Sequence, residues 1–423
     1  MAGSIMLLVF FILLFMGVPV AIALTLAALL YMISFTEIPL VIIAQQILGG
    51  SDKFTLLALP FFMIAGSLME QGGISRRIVN LSKALVGSLP GGIASVTVVS
   101  SSIFASMCGS GAATSAAVGS IMIPAMKEDN YDPDFACAVQ ASAGILGPLI
   151  PPSTLMVLYG VAAGVSISDM LLAGLLPGIL ISLLMISVVT YISVRRKYRC
   201  IGKFCCLQLG KSFLDAFLAL MAPVIILGGI YTGVFTPTEA AAVACLYALL
   251  IGLCVYRELT IKTMFPALYK SFKLAASIML IVGATQAFGW VLTREGIPQA
   301  IAVWTTSVIA EPMIFLLAVC LLLLVAGCIL DAVPALLLLA PILCPTAISY
   351  GIDLVHFGVV MVVVLCIGLV TPPVGINLFV VSAVGKRPMH TIIPHLPPFL
   401  AVMGVGTILV VLFPALSLFL LNR

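Results

Sequence analysis

What most limits the fold of this chain is a series of long apolar runs that clusters of glycine, proline and serine keep interrupting. The runs cover residues 5–35, 54–69, 93–125, 135–163, 170–194, 213–234, 240–256, 274–292, 313–348, 357–384 and 399–421. A helix crosses the ~30 Å hydrocarbon core of a bilayer in about 20 residues, so several of these runs are too long for one crossing. Composition points the same way. Of 423 residues, 63% are hydrophobic and 8% charged, whereas ordinary soluble domains are about 25% charged. A water-facing surface of this size cannot be assembled from 19 Lys+Arg and 15 Asp+Glu, which argues against a soluble enzyme, a nucleic-acid binder or a disordered chain. Barrel strands alternate apolar and polar residues over ~10-residue segments; these runs do not. The expected class is an all-α polytopic membrane protein with room for about a dozen crossings.

The interruptions carry the most information. CGSGAATS (108–115), GPLIPPS (147–153) and GLVTPPVG (368–375) should turn or unwind a helix. Backbone unwound at membrane depth exposes carbonyl and amide groups that need partners, and ions or substrate can supply them. The two halves also echo each other. Pro124, Asp132, Gly147, Pro151, Pro152 and Gly164 each recur 221 positions later, as Pro345, Asp353, Gly368, Pro372, Pro373 and Gly385. Upstream, Gly66 and Gly73 match Gly289 and Gly296 at an offset of 223.

Basic residues orient the halves. Arg76, Arg77 and Lys83 follow the second apolar run, while Gln299, Ala300 and Thr306 occupy the matching positions. Lys386 and Arg387 follow the second PP segment, where the first half has Val165 and Ser166. Short cytoplasmic loops collect Lys and Arg, so equivalent points are expected on opposite sides, as in an inverted-topology repeat. A consistent path puts Arg76, Arg77, the 195–199 run with Lys203 and Lys211, 257–273 and Lys386–Arg387 in the cytoplasm. Residues 165–169, 232–238 and 294–295 then face outward, as does the C-terminus. The count closes if 93–125 and 313–348 each return to the side they left, as re-entrant hairpins. The 5–35 run fits one long helix or two short ones, which leaves the side of the N-terminus open. The N-terminus lacks the basic region of a signal peptide and is expected to stay on.

Hard cations such as Na⁺ favour oxygen ligands, and unwound carbonyls provide them without a buried carboxylate. At the first hairpin tip, glycine permits close backbone approach, and Ser106, Ser110 and Thr114 supply hydroxyls. The PP segments free upstream carbonyls, with Ser153, Thr154, Thr371 and Asn377 adding polar side chains. Asp331, in GCILDAVPA at the second expected tip, is the leading intramembrane acid; its plain alternative is a helix cap. Glu239, Asp132 and Asp353 read as helix-capping residues. The 11 cysteines show no C-x-x-C spacing; those in the apolar runs read as packing residues, and Cys200, Cys205 and Cys206 of the basic loop as inert thiols. No H-E-x-x-H, G-x-S-x-G or Walker A motif is present, so no enzymatic activity, cofactor or nucleic-acid partner is expected. The drive for transport is expected to be an ion gradient.

GSGAATSAAVGSIMIPAMKEDNYDPDFACAVQASAGILGPLIPPS (109–153), GVFTPTEAAAVA (233–244) and GLVTPPVGINLFV (368–380) together resemble the large membrane subunit of tripartite ATP-independent periplasmic (TRAP) transporters. The resemblance implies a bacterial or archaeal inner-membrane protein. Its partners would be a small four-helix membrane subunit, as a separate chain, and a periplasmic substrate-binding protein. It implies Na⁺-coupled import of an organic anion, such as a C4-dicarboxylate or sialic acid, by an elevator. One Na⁺ site would draw on Ser106, Ser110, Gly111, Thr114, Gly144, Gly147 and Pro148. The other would draw on Gly327, Asp331, Gly368, Thr371 and Pro372. Substrate would lie between the tips, near Ser110, Ser153, Thr154, Asp331 and Asn377. The implied division is N-terminal scaffold 1–53, arm 54–90, first transport half 91–166, scaffold 167–273, second arm 274–311, second transport half 312–386 and C-terminal helix 387–423. The competing readings are a stand-alone Na⁺/divalent-anion symporter, a channel and an intramembrane enzyme.

Overall fold

A computed structural model describes residues 2–198 and 205–421, the side chains of 2–4 excepted. Arg199, Cys200 and Lys203 of the basic loop lie outside the described residues. Within them the chain is helical and contains no strand. Seven helices are long and apolar enough to cross a membrane, or eight if one pair bent by 56° counts as a span. With large apolar side chains facing outward, such as Leu214 and Leu321, this is a multi-pass membrane protein.

The first apolar run is two helices, α1 (Ala2–Phe15) and α2 (Val20–Phe35), separated at Gly17–Pro19. Helix α3 (Val41–Ser51) follows in a stretch between the apolar runs 5–35 and 54–69. Its small Gly50 sits against Gln286, and tertiary packing rather than hydropathy accounts for it. A short turn (Phe54–Leu57) leads into α4 (Ala58–Gln71) and the amphipathic α5 (Ile74–Val86).

Helices α6 (Gly92–Cys108) and α7 (Gly111–Glu128) pack together as a hairpin. Their turn is only Gly109 and Ser110, with Gly109 at φ +62°, a conformation that costs a residue with a Cβ. The first broken helix is α8 (Pro133–Gly144), an irregular stretch and α9 (Thr154–Ala163). After α10 (Ile167–Ala173) come α11 (Leu175–Arg195), α12 (Cys206–Tyr231) and α13 (Pro237–Leu250). Thr236 and Glu239 form a reciprocal cap at the start of α13, the structural role expected of Glu239.

Helix α14 (Ile261–Arg294) is 34 residues long, about 51 Å at 1.5 Å per residue. It therefore outruns the bilayer core, and the basic stretch expected as a loop at 257–273 is largely its projecting first turns. The expected division at 273/274 falls inside this helix. Beyond α15 (Ile297–Val308), the second pair is α16 (Pro312–Ile329) and α17 (Ala332–Ser349), joined by Leu330–Asp331. Both pack on α18 (Leu354–Gly368), which breaks before α19 (Ile376–Gly385). Then α20 (Met389–Ile392), α21 (Pro397–Leu412) and α22 (Ala415–Leu418) follow.

Side-chain capping starts both broken helices. Asp132 accepts from the Asp134 amide at 3.0 Å, and Asp353 from those of Val355 and His356 at 2.7 and 3.2 Å. The helices run in opposite directions. Asp132 lies 3.6 Å from Arg196 and 3.3 Å from His395, and the nearby Lys127 donates to the Gly385 carbonyl at 2.6 Å. The start of α8 and the end of α19 thus share one end of the molecule. At the other, Asp353 shares a cleft with Val165, Ser166 and Asp169, which follow α9. The groups assigned to the cytoplasmic side by charge also meet: Arg77 pairs with Glu258 at 2.7 Å and Asp215 at 3.5 Å, and stacks on Tyr256.

Candidate functional site

Both hairpin turns and both helix breaks converge near the middle of the bundle. At the first turn, Thr154 donates its hydroxyl to the Gly109 carbonyl at 2.9 Å, locking the tip onto the start of α9. Gly147 approaches so closely that an added Cβ would lie 2.5 Å from the Ser110 carbonyl oxygen and 2.8 Å from the Thr114 hydroxyl. A Cβ on Gly144 would collide with the Ser115 hydroxyl. It would also lie 3.0 Å from Asn377 Nδ2 and 3.2 Å from the Gly111 carbonyl oxygen. Ser110, Gly111, Thr114, Gly144 and Gly147 are therefore brought together, joined from the opposite half by Asn377.

Neutral oxygens predominate here. Asn377 is fully buried, donates to the Ala141 carbonyl at 3.4 Å, and leaves Oδ1 without a partner. The buried Ser115 hydroxyl and Gln140 Oε1 are also unpartnered, although Gln140 Nε2 reaches Ser101 and the Thr114 carbonyl at 3.4 Å. Buried polar groups are normally satisfied, so the lone Asn377 Oδ1 and Ser115 hydroxyl beside the Gly111 and Gly144 backbones suit a small hard cation. Among the described residues no group of three or more His, Cys, Asp and Glu side chains gathers. A cation would therefore rely on carbonyl and hydroxyl oxygens.

Around the second turn the closest approach is backbone to backbone. A Cβ on Gly368 would lie 2.6–2.9 Å from the Cα, carbonyl carbon and oxygen of Gly327. The Val374 amide donates to the Cys328 carbonyl at 3.2 Å, fastening the tip to the break that contains Pro372. Thr371 turns its hydroxyl to the Ile367 carbonyl at 2.7 Å. Asp331 caps α17 by accepting from the Ala332 amide at 2.7 Å, yet it remains exposed to a cavity.

That cavity, of about 220 Å³, lies between the two tips. Ser110, Gly111, Pro148 and Thr154 line one side, Asp331 and Ala332 the other, with Asn377 between them. Met63 of α4 and Ile278 of α14 complete the wall between them. Helices α7 and α17 begin at this cavity, each 18 residues long. Their N-terminal dipole ends favour an anion, whereas the single charged lining residue, Asp331, disfavours one until a cation offsets it.

Two expected residues hydrogen-bond to nearby backbone. Ser106 donates to the Ile103 carbonyl within α6 at 2.7 Å. Ser153 donates to the Pro148 carbonyl and caps α9 through the Met156 amide. Conversely, Ser115 and Gln140 were not anticipated; Gln140 stands out only as a long polar side chain in the Ala-rich α8. Met63 and Ile278 carry no sequence signal that separates them from other membrane-facing residues.

A family model described as the DctM component of tripartite ATP-independent periplasmic transporters matches residues 7–416. The chain is 41% identical over 408 residues to a sialic acid TRAP transporter large permease protein of Vibrio cholerae, covering 96% of each. It is 41% identical over 380 residues to a C4-dicarboxylate TRAP transporter large permease protein of Pseudomonas aeruginosa, covering 90% of this chain and 89% of that one. Among solved structures, the Alcanivorax borkumensis YdaH transporter matches with a TM-score of 0.63 at 15% identity, over 88% of this chain and 87% of that one. At that identity the likeness speaks for the fold.

Proposed function

The chain belongs to the DctM component family of tripartite ATP-independent periplasmic transporters, and from that premise we propose that it is the large permease subunit of a Na⁺-coupled importer of an organic anion. It would work in the bacterial inner membrane with a small four-helix subunit and a periplasmic binding protein. Relatives named for sialic acid and C4-dicarboxylate share carboxylate chemistry, which we extend to this substrate.

The observation that carries the reading is the cavity bounded by Ser110 and Gly111 of one tip and Asp331 and Ala332 of the other. One Na⁺ would lie among Ser110, Gly111, Thr114, Gly144 and Gly147, and another between the Gly327 tip and the Gly368–Pro372 break. Ion binding next to Asp331 would remove the repulsion that keeps a carboxylate out, so the two dipole ends could then hold it. That sequence of charges couples anion uptake to Na⁺. The opposed broken helices support an inverted repeat, and the halves 91–166 and 312–386 would move as one transport body against the remaining helices.

The test is uptake into proteoliposomes holding this chain and its small subunit, with binding protein and labelled N-acetylneuraminate or succinate outside. Uptake should require both an inward Na⁺ gradient and the binding protein. Uptake indifferent to Na⁺ would refute the coupling, and uptake indifferent to the binding protein would favour a stand-alone symporter.

A further inference from the structure

A second cavity, of about 300 Å³, is lined by Lys53, Gln286, Trp290, Thr293, Leu158 and Leu337, among others. It is stacked on the first along three shared helices. On α9, Leu155 lines the inner cavity and Leu158 the outer; on α14 the pair is Ile278 and Val282, and on α17 Val333 and Leu337. Each pair is three or four residues apart, about one helical turn. Along α14 the outer cavity lies nearer Arg294, the end expected to face outward. It therefore lies between the end expected to face outward and the inter-tip cavity.

Its polar lining matches an anion. Gln286 is an exposed amide in the membrane part of α14, where polar side chains occur chiefly at ligand or ion paths. The hydroxyls of Thr285 and Thr293 are turned to their own helix, onto the Ile281 and Gly289 carbonyls at 2.8 Å each. That leaves the Gln286 amide, the Trp290 indole N–H and the Lys53 ammonium as the available donors, and Lys53 has no carboxylate within ion-pair distance among the described residues. The lining itself contains no acidic residue. Arg294, over the Trp290 ring at 5.6 Å, adds positive charge at its edge.

We propose that this outer cavity is an anion-docking site, in which Lys53 and Gln286 hold a carboxylate-bearing solute on its way to the inter-tip cavity. The proposal rests on the transport reading for its solute, but not for its test. Trp290 lies in the lining, and Trp304, the chain's other tryptophan, is exposed on α15 outside it. Full-length W304F protein in neutral detergent micelles thus reports on the cavity through a single tryptophan. Iodide, an anionic quencher, should quench Trp290 at least about twofold less in K53Q than with Lys53 intact, because a local positive charge concentrates counter-ions. K53R should restore quenching, and succinate should protect against it. Acrylamide, which is neutral, should quench all three proteins alike and so control for altered folding or exposure. Equal iodide quenching with and without the Lys53 charge would overturn the docking site, whatever the chain transports. A failure of proteoliposome uptake with intact Lys53-dependent quenching would instead count against the transport reading alone. In active proteoliposomes, K53Q should raise KM about threefold or more with little change in kcat; a fall in kcat at unchanged KM would contradict docking.

Discussion

Asn377 of α19 donates its side-chain amide to the carbonyl of Ala141 on α8 at 3.4 Å, across 236 residues of chain. This contact places the unpartnered Asn377 Oδ1 in the group formed by Gly111, Gly144 and Ser115. Replacing Asn377 with Leu should raise the Na⁺ concentration for half-maximal uptake about tenfold, equivalent to about 1.4 kcal/mol. Circular dichroism should show the helix content retained. An unchanged Na⁺ dependence would remove Asn377 from the ion's surroundings.

Asp331 combines a capping bond of 2.7 Å with exposure to the inter-tip cavity. Asn caps helices about as well as Asp, so Asp331→Asn should leave thermal stability nearly intact while removing the negative charge. We expect Na⁺-driven uptake to fall by at least about tenfold, the effect of losing one charged interaction of about 1.4 kcal/mol. Undiminished uptake in proteoliposomes would assign Asp331 to capping alone.

The Gly327–Gly368 contact leaves no room for a methyl group, because the neighbour is backbone and cannot rotate away. Gly368→Ala should destabilise by about 1–3 kcal/mol, the usual cost of overpacking, and lower the melting temperature of purified protein. Gly404→Ala is the control, since nothing lies within 4 Å of that position on α21. There, alanine should be neutral or slightly stabilising.

At the end expected to face the cytoplasm, Arg387 grips both carboxylate oxygens of Asp134 at 2.7 and 2.6 Å, and Thr391 donates to the same group at 2.8 Å. The Arg387 guanidinium holds the Asp134 carboxyl below the usual carboxylate range. A carboxyl depressed in this way stabilises the fold fully above its unfolded value and loses that contribution as pH falls through the folded one. Asp134→Asn should therefore cost about 1–2 kcal/mol at neutral pH, given partial exposure. The difference from wild type should shrink below the ordinary carboxylate range, as read by thermal melts against pH. A constant difference down to the most acidic melt would contradict the ion pair.

Features governed by a few neighbouring residues were legible in the amino-acid order. Proline and glycine mark both helix breaks and the first turn, because a missing amide or a positive φ acts locally. Asp132, Asp353 and the Thr236–Glu239 pair announce helix starts through side chains that bond within three residues. The distribution of charge puts Arg77 and the 257–273 stretch on one side, and Arg77 pairs with Glu258 there. Hydropathy alone, however, could not reveal α3 or the full extent of α14, since their polar stretches resemble loops until packing is considered.

What the sequence determined was thus a membrane-embedded helical chain with two turns, two breaks and their caps, all of them products of short-range bonding. Only the tertiary structure decided which oxygens meet. Ser106 and Ser153 donate to nearby backbone, whereas Ser115, which looked like an ordinary helix residue, meets the same Gly144 as Asn377, and Gln140 reaches the Thr114 carbonyl. Hydroxyls and amides have several possible partners of nearly equal energy, and the partner chosen depends on helices hundreds of residues away.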